Sequence, residues 1–102
     1  EGWRERLEGA AEGGKRVAIW GGGSKAVAFL TTIGVGDEVA AVVDINPYKQ
    51  GMFLPGTGHE VLAPEMLIEI KPDLVVVMNQ IYEAEITKQL TEMALVPEVV
   101  SV

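Results

Sequence analysis

Between Val17 and Leu30 the sequence reads VAIWGGGSKAVAFL. Three glycines, Gly21, Gly22 and Gly23, followed by Ser24 and Lys25, join an apolar run to a segment of helical spacing. This pattern suits an anion. A helix that opens at a glycine turn offers free backbone N–H groups and the positive end of its dipole, and glycines let a ligand approach the main chain. Gly21, Gly23 and Ala26 fit the spacing G-x-G-x-x-G/A, and Asp44 ends the next apolar run, where an acid that holds a ribose is expected. A dinucleotide such as NAD(P) is therefore one reading. In the other, the glycines only let a strand turn tightly into a helix.

Two other readings of the glycine loop fit less well. Lys25 follows Ser24 and precedes Ala26, so the G-K-[ST] element that sets lysine and hydroxyl on phosphate and magnesium is missing. Trp20 stands at the end of the run before the glycines, which matches a loop for S-adenosylmethionine poorly. Ser24 has two readings, a phosphate contact or the N-cap of its own helix. Lys25 either pairs with a diphosphate or is solvated.

Further candidates cluster after other apolar runs. Asp44 and Asn46 follow the second, and Asn46-Pro47 is also a turn initiator. Lys49, Gln50 and Gly51 continue that stretch. Pro55, Gly56, Thr57, Gly58 and His59 add backbone freedom and polar tips. His59 is the one histidine, with no evident neighbour in sequence to tune it. After "LVVVM", Asn79 suits a sugar hydroxyl or a helix cap, and Tyr82 suits base stacking or partial core packing. Glu83 and Glu85 fall on different helical faces and form no acid–base pair.

The elements that carry these residues follow from periodicity. Trp3, Leu7, Ala10 and Ala11 share a helical face, so residues 2–12 read as a lead-in helix ended by Gly13 and Gly14. Val17–Trp20 is a strand. Ala26, Phe29, Leu30 and Ile33 repeat at helical spacing, with Gly34 as C-cap. Val39–Val43 is a second strand, residues 45–60 read as an extended loop, and 60–62 as a short edge strand. Pro64 suits the first turn of a helix to about Ile70. Leu74–Met78 has no alternation, as expected of a parallel strand covered on both faces. Tyr82, Ile86, Leu90 and Met93 mark another helix, and Val99–Val102 a closing strand. Strands alternating with helices predict a small Rossmann-like α/β domain, three-layered, with a mostly parallel sheet of about five strands.

Composition narrows the function. The chain has 102 residues, no cysteine and one histidine, so thiolate and histidine-built metal sites are excluded. Its net charge of −7 is the wrong sign for a nucleic-acid binder. No apolar stretch approaches the ~20 residues of a membrane span, and the cytoplasm is the expected compartment. Residues 1–102 form one domain. The first residue is Glu1, not Met, which suggests a piece of a longer protein.

Three blocks, "WGGGSKAVAFL", "VVDINPYKQGMFLPGTGHEVLAPE" and "PDLVVVMNQIYEAEI", resemble the C-terminal domain of sugar C-methyltransferases, from about Lys15 to Val102. The middle block, D-I-N-P-x-K-Q-G followed by P-G-T-G, is far more specific than the glycine turn. The resemblance implies a longer enzyme that methylates a carbon of a nucleotide-linked deoxysugar with S-adenosylmethionine. In that layout a zinc-binding segment and a catalytic domain precede this one. Neither zinc cysteines nor a methyl-donor loop occurs here, so the domain alone is not expected to bind S-adenosylmethionine. The resemblance implies a supporting role, closing the active site and helping to hold the nucleotide-diphosphate sugar, with no catalytic residue carried over.

Overall fold

The computed structural model of the chain describes residues 2–102. Helix α1 (Gly2–Glu12) leads into strand β1 (Val17–Trp20), followed by α2 (Ser24–Ile33) and β2 (Ala41–Val43). Next come β3 (Val61–Leu62), α3 (Leu67–Ile70), β4 (Leu74–Val77), α4 (Glu83–Glu92) and β5 (Glu98–Ser101). All neighbouring strands pair in parallel, in the order β3-β2-β1-β4-β5. This is the Rossmann-like α/β fold expected from the sequence.

The lack of alternation in β1 and β4 follows from their position. Both are buried along their whole length, because the sheet is covered on each face. Val17 and Ile19 of β1 pack with Leu7 of α1 and with Ala26 and Leu30 of α2. Ala18 and Trp20 face the other way, onto Leu67 of α3 and Ile86 and Leu90 of α4. The result is three layers, with helices α1 and α2 on one side and α3 and α4 on the other. The T-shaped contact of Trp3 with Phe29 fixes α1 to α2.

Several expected elements change shape. The helix foreseen over 64–70 divides into a 3₁₀ turn (Pro64–Met66) and a single α-turn, α3, ended by Lys71 in the left-handed region. A 3₁₀ turn over Gln80–Tyr82 precedes α4. Strand β2 begins at Ala41, although the N–H of Ala40 still donates to the Val17 carbonyl at 2.8 Å. The largest correction concerns residues 45–60, which are not a structureless loop. A turn over 47–51 leads to an antiparallel bridge between Phe53 and Glu60. The Leu54 N–H donates to the His59 carbonyl at 2.8 Å, and the Leu54 side chain enters the core. An apolar anchor and a closed backbone ladder account for its order.

The turn before β2 is held by one titrating group. Glu38 Oε1 accepts the Gly36 N–H at 3.0 Å. Its carboxyl is held below its ordinary value, first by that bond and then by the Glu38 N–H; desolvation opposes them in part, and the Arg4 charge adds the smallest lowering. A depressed folded pKa stabilises the fold above the unfolded value, and the contribution fades as pH falls through the folded one. Glu38→Gln should therefore melt below the parent chain at neutral pH, with the gap closing in acid. Thermal melts at stepped pH values test this, and a constant gap contradicts it.

Candidate functional site

The parallel strands bring the glycine turn, the end of β2 and the end of β4 to one edge of the sheet. Strand order reverses between β1 and β4, and in open sheets of this kind ligands bind at such a switch point.

The three glycines have different physical reasons. Gly21 has φ of 123°, a region L side chains rarely adopt, and a Cβ there would lie 3.1 Å from Met78 Cβ. Its N–H donates to the Val43 carbonyl at 2.7 Å. A Cβ on Gly22 would lie 2.8 Å from both Val61 methyl carbons, so the backbone there runs directly against β3. Gly23 is unlike either. It is the N-cap of α2 with φ of −96°, which any residue adopts, and it caps with no side chain. A Cβ there would meet only Lys49 Nζ, at 3.9 Å.

Ser24 does not cap the helix, since Gly23 fills that position and Ser24 is the first helical residue, exposed to solvent. Lys25 is exposed beside it. The Ser24 hydroxyl and the Lys25 ammonium therefore both stand at the open N-terminus of α2.

Asp44 ties this edge together. Its Oδ2 accepts the Gly22 N–H at 2.8 Å and its Oδ1 the Asn46 N–H at 2.9 Å. Asn46 Oδ1 in turn accepts the Tyr48 N–H at 3.0 Å, and Gln50 Nε2 donates to the Asp44 carbonyl at 2.8 Å. These bonds fold the start of the 45–60 segment back toward the glycine turn and bring Lys49 against Gly23. Asn46 and Gln50 thus act on the loop's own backbone.

Gly56, Thr57 and His59 do not join this edge. A Cβ on Gly56 would lie 3.5 Å from Thr31 Oγ1, in the last half of α2. His59 Nε2 donates to the Val39 carbonyl at 2.7 Å, before β2 begins, and Nδ1 meets Thr57 Oγ1 at 2.8 Å. A carbonyl only accepts, so Nε2 carries a proton. The partner that sequence reading did not identify is Thr57, two positions away. The Nε2 bond holds the segment to the domain, and the Nδ1 contact braces the segment internally.

A cleft of about 390 Å³ opens between β1 and β4, where Trp20, Gly21, Asp44, Asn79, Tyr82 and Glu85 line it with Gln89. Ile45, Val77, Met78 and Ile86 supply its apolar surface. Asn79 Oδ1 accepts the Ile81 N–H at 3.2 Å, capping the 3₁₀ turn and leaving its amide N–H groups for other partners. Tyr82 is 51% exposed and flanks the cleft instead of filling the core. Trp20 does both, packing in the core and walling the cleft. Glu83 accepts the Ser101 hydroxyl, which ties α4 to β5. Glu85 was set aside with Glu83 in the sequence, yet it stands at i+3 from Tyr82. That spacing is the signal that would have found it.

Residues 2–96 match the family described as the C-methyltransferase C-terminal domain. The chain belongs to that family. It is also 33% identical over 84 residues to the C-methyltransferase NovU of Streptomyces niveus, covering 81% of this chain and 20% of that protein. This domain therefore spans about a fifth of that relative's length. Among solved structures, UDP-D-quinovosamine 4-dehydrogenase from Vibrio fischeri superposes with a TM-score of 0.66 at 20% identity, over 86% of this chain and 77% of that one. The Rex-family repressor RSP gives 0.58 at 18% identity, over 86% and 52% of the two chains. Its complex with β-NADH gives 0.56 at 19%, over 86% and 53%. At these identities the likeness is one of fold.

Asp44, the acid at the strand end, accepts one backbone N–H on each oxygen, and Trp20 lines the cleft beside the turn.

Gly22→Ala should destabilise the domain by about 1–3 kcal/mol, because the methyl meets Val61 with no room to retreat. Adding Val61→Ala should cost less than the two single changes combined. Urea titrations of the four chains give the coupling, and simple additivity refutes the contact.

Proposed function

We propose that this C-methyltransferase C-terminal domain holds a nucleotide-diphosphate sugar at the carboxyl edge of its sheet. It closes the active site against a catalytic methyltransferase domain of a longer chain. On this reading the diphosphate meets the start of α2, within reach of Lys25 and Lys49, and the sugar or base enters the cleft beside Asn79 and Tyr82. Methyl transfer from S-adenosylmethionine takes place on the other domain, in the cytoplasm. No helix of the described residues is long and apolar enough to cross a membrane, and the net charge of −7 disfavours nucleic acid.

One observation carries the reading. Packing demands glycine at Gly21 and Gly22, but nothing in the fold demands it at Gly23. Ser, Thr, Asp, Asn and Gly are all favoured at a helix N-cap, and of these only glycine provides no side-chain acceptor for the first N–H groups. A glycine there leaves the first turn uncovered beside a lysine, and this arrangement favours an anion against the backbone. The P-G-T-G stretch and His59 drop out of the contact set on this reading, because they lie toward the far end of α2.

The second reading is a stand-alone NAD(P)- or nucleotide-sugar-binding regulatory module. It draws on the Gly21, Gly23, Ala26 and Asp44 fingerprint and on the fold shared with the repressor RSP, whose β-NADH complex is among the structures it resembles. The bonds that Asp44 already makes inside the loop count against it.

Amide NMR titrations with a thymidine-diphosphate sugar, NADH and S-adenosylmethionine in parallel separate these readings. The nucleotide-sugar should shift residues 21–25, 44–50 and 79–89. Shifts with NADH alone favour the regulatory module, and shifts with S-adenosylmethionine alone overturn the division of labour. Gly23→Ser should leave stability within about 0.5 kcal/mol. Its affinity for the nucleotide-sugar should fall about tenfold, equivalent to about 1.4 kcal/mol. Unchanged affinity removes the anion from this helix end.

A further inference from the structure

The cleft and the start of α2 carry opposite charge. Lys25 and Lys49 stand at the helix end, whereas the lining of the cleft includes Asp44 and Glu85 and no lysine or arginine. Asp44 is committed to Gly22 and Asn46. Glu85 is committed to nothing. The ion pairs among the described residues are Arg4–Glu8 and Arg6–Glu98, so Glu85 has no counter-ion. The other polar lining groups are uncharged, the Asn79 amide, the Gln89 amide and the Tyr82 hydroxyl.

A volume of about 390 Å³ suits a ring of monosaccharide size, within the range of small-molecule sites. Phosphate is disfavoured there, because each added negative charge would face two carboxylates with no lysine or arginine in the lining to offset them. A ring that donates hydrogen bonds is favoured, and a charged amine most of all, since charge-assisted bonds to a carboxylate are about twice as strong as neutral ones. Trp20 and Tyr82 add apolar ring surface on which a pyranose can pack.

We infer that the β1–β4 cleft takes the sugar end of the ligand, that it selects an amine-bearing ring, and that Glu85 is the residue that makes this selection. The inference rests on the nucleotide-sugar reading for the ligand as a whole but not for the cleft, which a free sugar probes directly. It also fixes the ligand's direction, with the diphosphate over Gly23 and the sugar passing Gly21 toward α4.

The test uses two sets of probes on the unaltered chain and on Glu85→Gln. Glu85 is exposed and makes no internal bond, so the exchange leaves packing untouched. UDP-glucosamine should bind the unaltered chain about five- to tenfold more tightly than UDP-glucose, the range of a partly exposed charge-assisted contact. In Glu85→Gln that preference should vanish. Free glucosamine, glucose and inorganic phosphate form the second set, followed through the amides of residues 79–89. Glucosamine should shift them in the unaltered chain and not in the variant. If both nucleotide-sugars fail while glucosamine still shifts these amides, the nucleotide-sugar reading falls and the cleft assignment stands. Equal affinity for the two nucleotide-sugars, a preference that survives Glu85→Gln, silence from glucosamine, or phosphate shifts at residues 79–89 each overturn the inference.

Discussion

Everything at the carboxyl edge depends on how the chain leaves β1. This strand sits at the centre of a parallel sheet, buried on both faces. It must turn into α2 through a space already bounded by Met78 after β4 and Val61 of β3. No side chain fits at Gly21 or Gly22, so the main chain itself forms the wall between neighbouring strands. That close approach lets the Gly22 N–H reach Asp44 and the Gly21 N–H reach Val43. The turn thus positions α2, fixes the end of β2 and opens the cleft beside β4 through one steric requirement.

The same requirement separates two meanings of a glycine motif. A G-x-G-x-x-A string cannot tell a glycine needed for packing from one kept for a ligand, because both leave the same letter. The distinction appears only when neighbours from β3 and β4, distant in sequence, are present. Gly22, the one glycine that the motif leaves unspecified, is the one most tightly confined by its neighbours. Gly23, a motif position, is sterically free. The motif's letters are thus a poor guide to which of its atoms are available.

What was legible in the sequence follows the range of the forces involved. Helical and apolar periodicities are local, so α1, α2, α4 and the cores of β1 and β4 appear where their spacing places them. The 45–60 segment was opaque because its order comes from contacts across distance. Leu54 ends the apolar run Met52-Phe53-Leu54, and only the contacts with the core that includes Leu30 and Val61 decide that it, and not its two exposed neighbours, is buried. His59 finds Val39, twenty positions back, and Thr57, too near to suggest a partner before the bend exists. The grouping of Asp44 through Gln50 with the glycine turn, and of Asn79 and Tyr82 with both, follows from parallel pairing. That pairing brings every strand's carboxyl end to one edge. The displacement of Gly56, Thr57 and His59 toward the far end of α2 follows from the Phe53–Glu60 bridge, which no periodicity announces.

The division of charge along this edge bears on why such a domain would accompany a catalytic one. In a chain of net charge −7, a bound diphosphate is repelled by most of the surface. It gains from the helix end and two lysines only if it lies close to Gly23. A ligand spanning from there into the cleft must then place its uncharged or cationic end against Glu85, because the reverse orientation sets phosphate against two carboxylates. Orientation is thereby decided by electrostatics before shape is consulted. Tyr82 is half-exposed at the cleft, so on the proposed reading a ring seated on Trp20 and Tyr82 keeps one face exposed. A second domain that covers that face meets a substrate whose direction is already fixed. On the proposed reading, what this fold contributes to methyl transfer is the orientation of the bound ligand.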